Sequence, residues 1–223
     1  MANPDHAFIN LVETMGGDLA VVNSARVSLG ASSAELTEKD ERLIGRLLRD
    51  HHGTPFEQAV MTFYVRCPIF VAREWFRHRM GSFNEISGRY KELSPDFYVP
   101  KQFRVPVPDA KQMDYRYNEA DPVLHDQAAM LTRKLYKQAR DTYRELLDMG
   151  IAKEHARIVL PVGLFTEFRW TVNARALMNF LALRNDPAAM GEIRAYARAI
   201  EKLFSDFMPA THKAFVDAGR VAP

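Results

Sequence analysis

The sequence predicts an α+β fold, with a small antiparallel sheet and several long helices in a single domain that covers residues 1–223. Helical patterns dominate the chain, strand-like patterns are few, and the strands do not alternate with helices as they do in a doubly wound sheet. Because a domain usually contains about 100 to 200 residues, a chain of this length is expected to form one core.

The first predicted helix begins at Thr37–Asp40, where a threonine precedes acidic residues. Apolar residues at helical spacing in Leu43–Leu48 continue the helix to His51 and His52, and Gly53 is expected to end it. This helix would deliver two histidines to a turn.

A strand and a second helix are predicted next. Side chains alternate between two faces over Gln58–Arg66, which is the period of a strand. Pro68 suits the first turn of a helix, and this helix is expected to cover about Pro68–Met80 and to lead directly into a polar segment.

Prolines separate this part of the chain from the C-terminal helices. The segment Ser94–Pro122 is rich in proline, so we expect loops with at most one strand and no chemistry there. Asp121 then caps a long helix that has Pro122 at its first position and that Gly150 can terminate. Two more helices are predicted, at about Thr171–Leu183 and Pro187–Phe207.

Composition and charge exclude several classes of protein. A content of 47% apolar and 26% charged residues is typical of globular rather than disordered or fibrous proteins. A formal net charge of +2 is too small to predict nucleic-acid binding from the overall field. Without a long apolar stretch or a signal-peptide pattern, we expect a cytoplasmic protein with no membrane and no nucleic-acid partner.

Cys67 is the only cysteine of the chain. A single thiol excludes an intrachain disulfide and a zinc site built from several thiolates, and no metal site is predicted. Its place among apolar residues, directly before Pro68, favours a buried and inert thiol over a catalytic nucleophile.

The first of two polar clusters is Trp75–Tyr90, which mixes arginines with bulky aromatic residues. The sequence has no GxGxxG, Walker, HExxH or CxxC motif, so the chemistry has to come from such clusters. A core would not tolerate these charges unpaired, and a solvated surface does not need the rings. The mixture indicates a site for an anionic, planar ligand, because a guanidinium grips phosphate bidentately and stacks on flat rings.

Several residues of this cluster have alternative roles. His78 is either a structural histidine or a neutral ring near a ligand, since the flanking arginines disfavour its charged form. Ser87 is either a nucleophile with His78 as its base or, as we favour, part of a phosphate grip with Gly88 and Arg89. Glu85 is either a general base or the partner of a nearby arginine.

The second polar cluster, Arg157–Arg184, ends in a predicted helix with two polar faces. At about 100° per residue, Asn173 and Arg184 lie together, whereas Arg175 and Asn179 lie on nearly the opposite side. Either this helix lies between two ligands or two subunits, or it is a core helix whose arginines extend to solvent.

The chain resembles the flavin-dependent thymidylate synthases. Residues Arg77–Ser87 match the signature of that family, which is RHR followed by seven residues and a serine, and Gly88–Tyr90 extend the match. Further matching segments occur along nearly the whole chain: Ala25–Ser28, His51–Glu57, Pro68–Arg79, Arg157–Pro161 and Trp170–Arg184.

This resemblance implies an activity. Members of the family convert dUMP to dTMP, with 5,10-methylenetetrahydrofolate as the one-carbon donor and FADH2, reduced by NADPH, as the hydride donor. The family uses no cysteine nucleophile, and the flavin carries the hydride chemistry while the protein binds and orients the reactants. The resemblance also implies a homotetramer whose active sites combine residues from several subunits.

The resemblance further implies roles for individual residues. The dUMP site would be formed by Glu74, Arg77, Glu85, Ser87, Gly88, Arg89, Arg157 and Arg184. Arg184 would be the catalytic residue, since a fixed cation beside the pyrimidine favours its N3-deprotonated form. FAD would be bound by His52, Thr54, Arg77, His78, Arg79, Glu85, Asn173, Arg175 and Asn179. The chain departs from the family after Arg184, where Asn185 and its successors replace a segment in which a histidine is expected.

Two other functions remain open. The same arginines and rings could serve a non-catalytic nucleotide- or RNA-binding oligomer, which a lack of flavin absorbance after addition of FAD would favour. The second possible function is that of a flavoenzyme that acts on another pyrimidine nucleotide. Such an enzyme would release no tritium from C5 of dUMP.

Overall fold

The computed structural model describes residues 7–109, 111 and 115–223. The strands within these residues are β1 (Phe8–Met15), β2 (Val60–Pro68), β3 (Ser82–Glu85), β4 (Arg104–Pro106), β5 (Tyr117–Glu119) and β6 (Phe165–Asn173). One sheet has four strands in the order β1-β2-β6-β3, and β4 pairs with β5 in a separate antiparallel sheet.

Helices contain most of the remaining chain. The α-helices of the described residues are α1 (Asp18–Arg26), α2 (Glu38–Arg49), α3 (Ile69–Trp75), α4 (Pro122–Asp148), α5 (Lys153–Ala156), α6 (Ala174–Arg184), α7 (Gly191–Phe207) and α8 (Pro209–Asp217). The predicted α+β class, with a small antiparallel sheet and several long helices, is confirmed. None of the helices in the described part of the chain is long and apolar enough to cross a membrane.

Contacts between Cα atoms group the chain into two compact units. The first, which we call the aromatic unit, contains Ile9–Val65, Trp75–Asn84 and Arg169–Pro223. The second, which we call the α4 unit, contains Arg66–Glu74 and Glu85–Phe168, together with the short segment that ends at Phe8. The single domain expected from the sequence stays a prediction.

The core of the aromatic unit is a cluster of rings around Trp170. Its indole lies edge-on to Trp75 with ring centroids 5.4 Å apart, is stacked on Phe63 at 5.6 Å and packs on Phe180 at 5.0 Å. All four side chains are almost completely buried. Such ring pairs add about 0.5–1.5 kcal/mol each beyond the burial of their area, so this cluster anchors the segments that follow Trp75 and Trp170 within the aromatic unit.

The α4 unit is organised by its long helix. Asp121 caps α4 as predicted, with its side chain accepting from the backbone N–H groups of Val123 and Leu124 at 3.0 Å. Toward the other end of α4, the buried Tyr143 hydroxyl accepts a hydrogen bond from the backbone N–H of Leu93 at 3.0 Å. The helix thereby holds the loop that follows the first polar cluster.

The start of α2 agrees with the prediction and its end does not. The Thr37 N–H donates to Asp40 at 2.9 Å in a capping box, so the helix begins where the sequence indicates. It ends at Arg49 rather than Gly53, because His51 adopts a left-handed conformation with φ of 56°. His52 lies in the turn after the helix, as expected.

The prediction that a helix extends to Met80 is wrong. Helix α3 ends at Trp75, where the His78 N–H closes a turn onto the Trp75 carbonyl at 3.0 Å, and the chain then enters strand β3. Pro68 is the last residue of β2 rather than the first of a helix. Pairing with the sheet overrides the local helical pattern here, since strand formation depends on partners far away in sequence.

Strand β6 replaces the first turn of a predicted helix, because Thr171–Asn173 pair in the sheet and α6 begins only at Ala174. The proline-rich segment forms two short strands, β4 and β5, where at most one was expected. Helix α7 begins at Gly191 rather than Pro187. The helices α1, α5 and α8 and the strands β1 and β3 were not predicted.

Gly81 provides a test of this packing. A Cβ atom at Gly81 would lie 2.8 Å from the Trp170 indole nitrogen and 2.9 Å from the Thr171 carbonyl oxygen, neither of which can move easily. We expect Gly81→Ala to lower the free energy of unfolding by about 1–3 kcal/mol, measured by urea unfolding. The control is Gly45→Ala in α2, where a Cβ meets nothing within 4 Å and where alanine should stabilise slightly. Equal changes in unfolding free energy for the two substitutions would contradict the close packing of Gly81 against Trp170 and Thr171.

Candidate active site

A cavity of about 680 Å³ lies in the aromatic unit, bordered by the segment after α3 and by helix α6. Both polar clusters of the sequence contribute to it, although they are far apart along the chain. Besides Arg184, its lining includes six residues predicted to bind FAD: Arg77, His78, Arg79, Asn173, Arg175 and Asn179. The fold therefore brings Arg77–Met80 of the first cluster and part of Trp170–Arg184 of the second together within one unit.

Helix α6 presents one broad face to this cavity. Asn173 and Arg184 form one edge of the face, Arg175 and Asn179 form the other, and Ala176 and Leu183 lie between them. The two polar faces expected from the sequence are thus the two edges of a single cavity-lining surface. On the opposite side, Leu177, Met178 and Leu181 are completely buried. Asn173 also has a structural role, because its side-chain oxygen caps α6 by accepting from the Ala176 N–H at 2.9 Å.

Arg184 and His78 form the central contact of the cavity. The Arg184 Nε–H donates to His78 Nε2 at 2.9 Å. A guanidinium has no acceptor, so the imidazole nitrogen must accept, and the ring is therefore neutral with its proton on Nδ1. The ring also packs edge-on against Phe180 at 4.9 Å, which limits its rotation.

Arg175 is held at the other edge of the cavity. Its Nη1 forms an ion pair with Glu57 at 2.7 Å. Gly53 is buried against the same side chain, and a Cβ atom at Gly53 would collide with the Arg175 guanidinium. The predicted FAD residues His52 and Thr54 flank this glycine, so the structure brings their loop beside Arg175. Glu57 was not predicted as a site residue, although it ends one of the matching sequence segments.

Arg77 and Arg79 provide the free positive charge of the cavity. Both are exposed, and within the described part of the chain neither side chain has a hydrogen-bond or ion-pair partner. Two unpaired guanidinium groups beside amide and arginine side chains suit the diphosphate of a dinucleotide cofactor. The residues of the cavity therefore fit FAD.

A second group of predicted residues lies in the α4 unit, where the chain turns at Ser87. The Ser87 carbonyl accepts from the N–H groups of Tyr90 and Lys91 at 3.2 and 3.1 Å, and its hydroxyl accepts from the Arg89 N–H at 3.3 Å. Gly88 is buried in this turn, and a Cβ there would lie 3.1 Å from Arg157 Cδ. Four of the residues predicted to bind the nucleotide are therefore neighbours: Ser87, Gly88, Arg89 and Arg157.

Glu154 links the two arginines of this group. It accepts from Arg89 Nε through a carboxylate oxygen at 3.2 Å and from Arg157 Nε through its carbonyl oxygen at 3.4 Å. Both contacts are solvent-exposed, and exposed pairs of this kind contribute about 0–1 kcal/mol. An incoming phosphate could replace these contacts at little cost. Glu154 is a further residue that the sequence did not single out.

Glu85 has a specific partner in the same unit. The Thr166 hydroxyl donates to Glu85 Oε1 at 2.5 Å, and Thr166 itself is buried. Thr166, on strand β6, thus holds one oxygen of the Glu85 carboxylate in place. Glu74 lies half-buried in the last turn of α3.

Cys67 does not have the properties of a nucleophile. It is completely buried in β2, and burial, with a smaller contribution from the Glu85 charge, raises the pKa of its thiol far above the ordinary value. A thiol of this kind is inert at neutral pH, since the thiolate is the reactive form. The expectation of a structural cysteine is confirmed.

Comparison with known proteins gives the family. Residues 10–210 match the family model described as thymidylate synthase complementing protein. The flavin-dependent thymidylate synthase of Thermosipho africanus is 48% identical over 212 residues, covering 95% of this chain and 92% of that protein. The enzyme of the same name from Thermus thermophilus is 45% identical, covering 95% of this chain and 76% of that protein. A solved structure, the UMP/dUMP methylase PolB from Streptomyces cacaoi bound with 5-Br UMP, aligns with a TM-score of 0.89 and 42% identity over 97% of this chain and 96% of that one. The chain belongs to the family of flavin-dependent thymidylate synthases.

Proposed function

We propose that this protein methylates dUMP to dTMP in de novo thymidylate synthesis, with 5,10-methylenetetrahydrofolate as the one-carbon donor and NADPH-reduced FAD as the hydride donor. The observation that supports this most strongly is the cavity in which the Arg77–Arg79 signature meets Arg184, while the only cysteine is buried elsewhere and inert. We propose that the enzyme acts in the cytoplasm.

FAD is the cofactor, and when bound in reduced form it supplies the hydride. Arg77 and Arg79 would neutralise its phosphates, and the side-chain amides of Asn173 and Asn179 would orient it by hydrogen bonds. Arg175 is already fixed by Glu57 and packed against Gly53, so it would contact FAD without losing further side-chain entropy. His52, Thr54 and Glu85 would add contacts around this set.

The nucleotide would be held by two kinds of group. The phosphate and sugar would be bound by Ser87, Gly88, Arg89 and Arg157. On binding, the two arginines would exchange their contacts with Glu154 for contacts with the phosphate. Arg184 would lie beside the pyrimidine as the catalytic cation and favour the N3-deprotonated ring, with Arg77, Glu74 and Glu85 close to the nucleotide. The neutral His78 ring fixes the Arg184 guanidinium without neutralising its charge.

We also propose a homotetramer whose active sites combine residues from several subunits. Helix α4 supports an assembly, because Leu124, Leu131 and Leu135 are exposed along one face of it, with Leu131 62% and Leu135 55% exposed. Exposed apolar stripes of this kind are typical of protein interfaces. Light scattering of the holoenzyme at several concentrations measures the mass, and a monomer at all concentrations would contradict this part of the proposal.

Rescue of a thymidine-requiring bacterium without its own thymidylate synthase tests the activity, and tritium release from [5-3H]dUMP with FAD, NADPH and methylenetetrahydrofolate measures it directly. UMP is a second candidate substrate, since the PolB neighbour is described as a UMP/dUMP methylase. Release from [5-3H]UMP at a comparable kcat/KM would extend the substrate class. A protein that binds no flavin and releases no tritium would instead be a non-catalytic nucleotide-binding oligomer.

Ser87→Ala is expected to weaken dUMP binding and leave measurable turnover. The hydroxyl contributes one hydrogen bond to the proposed grip, worth about 0.5–1.5 kcal/mol, so KM for dUMP should rise about 2- to 12-fold. Ser94→Ala, an exposed serine of the same unit, is the control and should leave KM unchanged. Complete loss of turnover with unchanged dUMP affinity would instead identify Ser87 as a nucleophile.

A further inference from the structure

A buried carboxylate contacts the residue that follows Arg184 at the C-terminal end of α6. Glu201, on α7, is 8% exposed and accepts hydrogen bonds from three different segments. Its Oε1 bonds Arg220 Nη2 at 2.9 Å, Arg220 Nε at 3.1 Å and His212 Nε2 at 3.1 Å. Its Oε2 accepts from the side-chain amide of Asn185. We call Glu201, Asn185, His212 and Arg220 the Glu201 network.

Asn185 connects this network to the cavity, because it is the residue immediately after Arg184. Three of its four polar groups have partners among the described residues. Its N–H donates to the Leu181 carbonyl at 2.9 Å, its carbonyl accepts from Arg194 Nε at 3.2 Å, and its side-chain amide donates to Glu201. The last turn of α6 is therefore attached to α7 at two points, and the position of the Arg184 backbone depends on both.

Stability alone does not require a carboxylate at this place. Burying a charge costs free energy that a single ion pair repays only in good geometry, and apolar residues of similar size often stabilise as well or better. Burial tends to raise the pKa of Glu201, but hydrogen bonds from Arg220, His212 and Asn185 outweigh it, so the pKa lies below its usual value. The group is thus ionised, with both oxygens committed to fixed donors.

We propose that Glu201 and Asn185 are positioning residues for Arg184. The carboxylate holds the Asn185 side chain, this fixes the last turn of α6, and the Arg184 guanidinium thereby keeps its hydrogen bond to His78 at the edge of the cavity. The assignment rests on the proposed function, in which Arg184 acts on the pyrimidine. Neither positioning residue is expected to touch the substrate.

Asn185→Ala is the primary test, because it removes the side-chain link between Glu201 and α6 while Glu201 keeps its bonds to Arg220 and His212. We expect kcat to fall about 3- to 10-fold, toward the lower end of the coupling found between residues in contact. FAD content and KM for dUMP should stay within about 2-fold, which is the scatter of additive effects. Glu201→Gln should show the same split between kcat and KM if it folds.

A double-mutant cycle separates positioning from loss of structure. If Asn185 acts only through Arg184, then Asn185→Ala should have no further effect on kcat when Arg184 is already alanine. The stability control is Asp40→Asn, which weakens another buried carboxylate site, where Asp40 accepts from the Thr37 N–H at 2.9 Å and the Thr37 hydroxyl at 2.7 Å. It should lower Tm but leave kcat of the flavin-bound enzyme unchanged.

The outcomes are distinguishable from failure of the proposed function. If the unaltered protein releases tritium from [5-3H]dUMP and Asn185→Ala has the same kcat, the positioning role is wrong. Equal losses in the Arg184 and the Arg184→Ala backgrounds, or an equal loss in Asp40→Asn, would also overturn it. If the unaltered protein shows no activity on dUMP, the proposed function fails first.

Discussion

Replacement of Arg184 by alanine is expected to lower kcat by about 10²- to 10³-fold, the loss typical of removing one preorganised electrostatic contact to a reacting group. The fold should persist, because Arg184 lies at the end of α6, is only half-buried and faces the cavity. Flavin should remain bound, since the other arginines and asparagines of the cavity are untouched. Steady-state tritium release and the visible absorbance of the flavin measure the two quantities.

Arg169→Ala is the matched control for Arg184→Ala. Arg169 is an exposed arginine of the same unit, and its contact with Glu13 at 3.4 Å is a surface ion pair worth little. Activity and flavin content should both be unchanged in this variant. Near-normal turnover of Arg184→Ala would show that Arg184 is not the catalytic residue. Arg184→Lys tests the geometry, because lysine keeps the charge but loses the planar fork that meets His78.

Replacement of Trp170 by alanine is expected to cost about 3–5 kcal/mol of unfolding free energy, the range for large aromatic deletions in a core. Trp170 is 1% exposed and contacts Phe63, Trp75 and Phe180, so its removal leaves a large cavity that these rings cannot fill without leaving their packing. Urea unfolding with and without added FAD measures the loss. Flavin affinity should fall as well, because Trp170 also lines the cavity.

Tyr115→Ala is the control for this deletion, since Tyr115 is 54% exposed. Its loss should change the unfolding free energy by less than about 0.5 kcal/mol, as for surface substitutions in general. The unfolding free energy of Trp170→Phe should lie between those of Trp170→Ala and Tyr115→Ala, because phenylalanine keeps one ring in the cluster. A Trp170→Ala variant as stable as the Tyr115→Ala variant would mean that the ring cluster does not support the fold.

Local signals predicted well those features that depend on neighbours in sequence. The capping box at Thr37 and the N-cap at Asp121 are formed by residues two or three positions away, so the start of each helix could be inferred without the fold. The inert character of Cys67 also followed from its apolar neighbours. Where a segment pairs with distant residues, the prediction failed: Thr171–Asn173 have a helical pattern but lie in β6.

The sequence by itself determined the chemistry of the site, through the arginines, asparagines and serine of its two polar clusters, and through the family they resemble. Only the tertiary structure decided that both edges of α6 border one cavity, and that Arg184 meets His78, which lies 106 positions earlier in the chain. Neither fact is encoded in a local period, because a helical repeat specifies which residues share a face but not what that face contacts. Packing of the ring core around Trp170 and pairing in the sheet set those contacts, and they depend on segments that are distant in sequence.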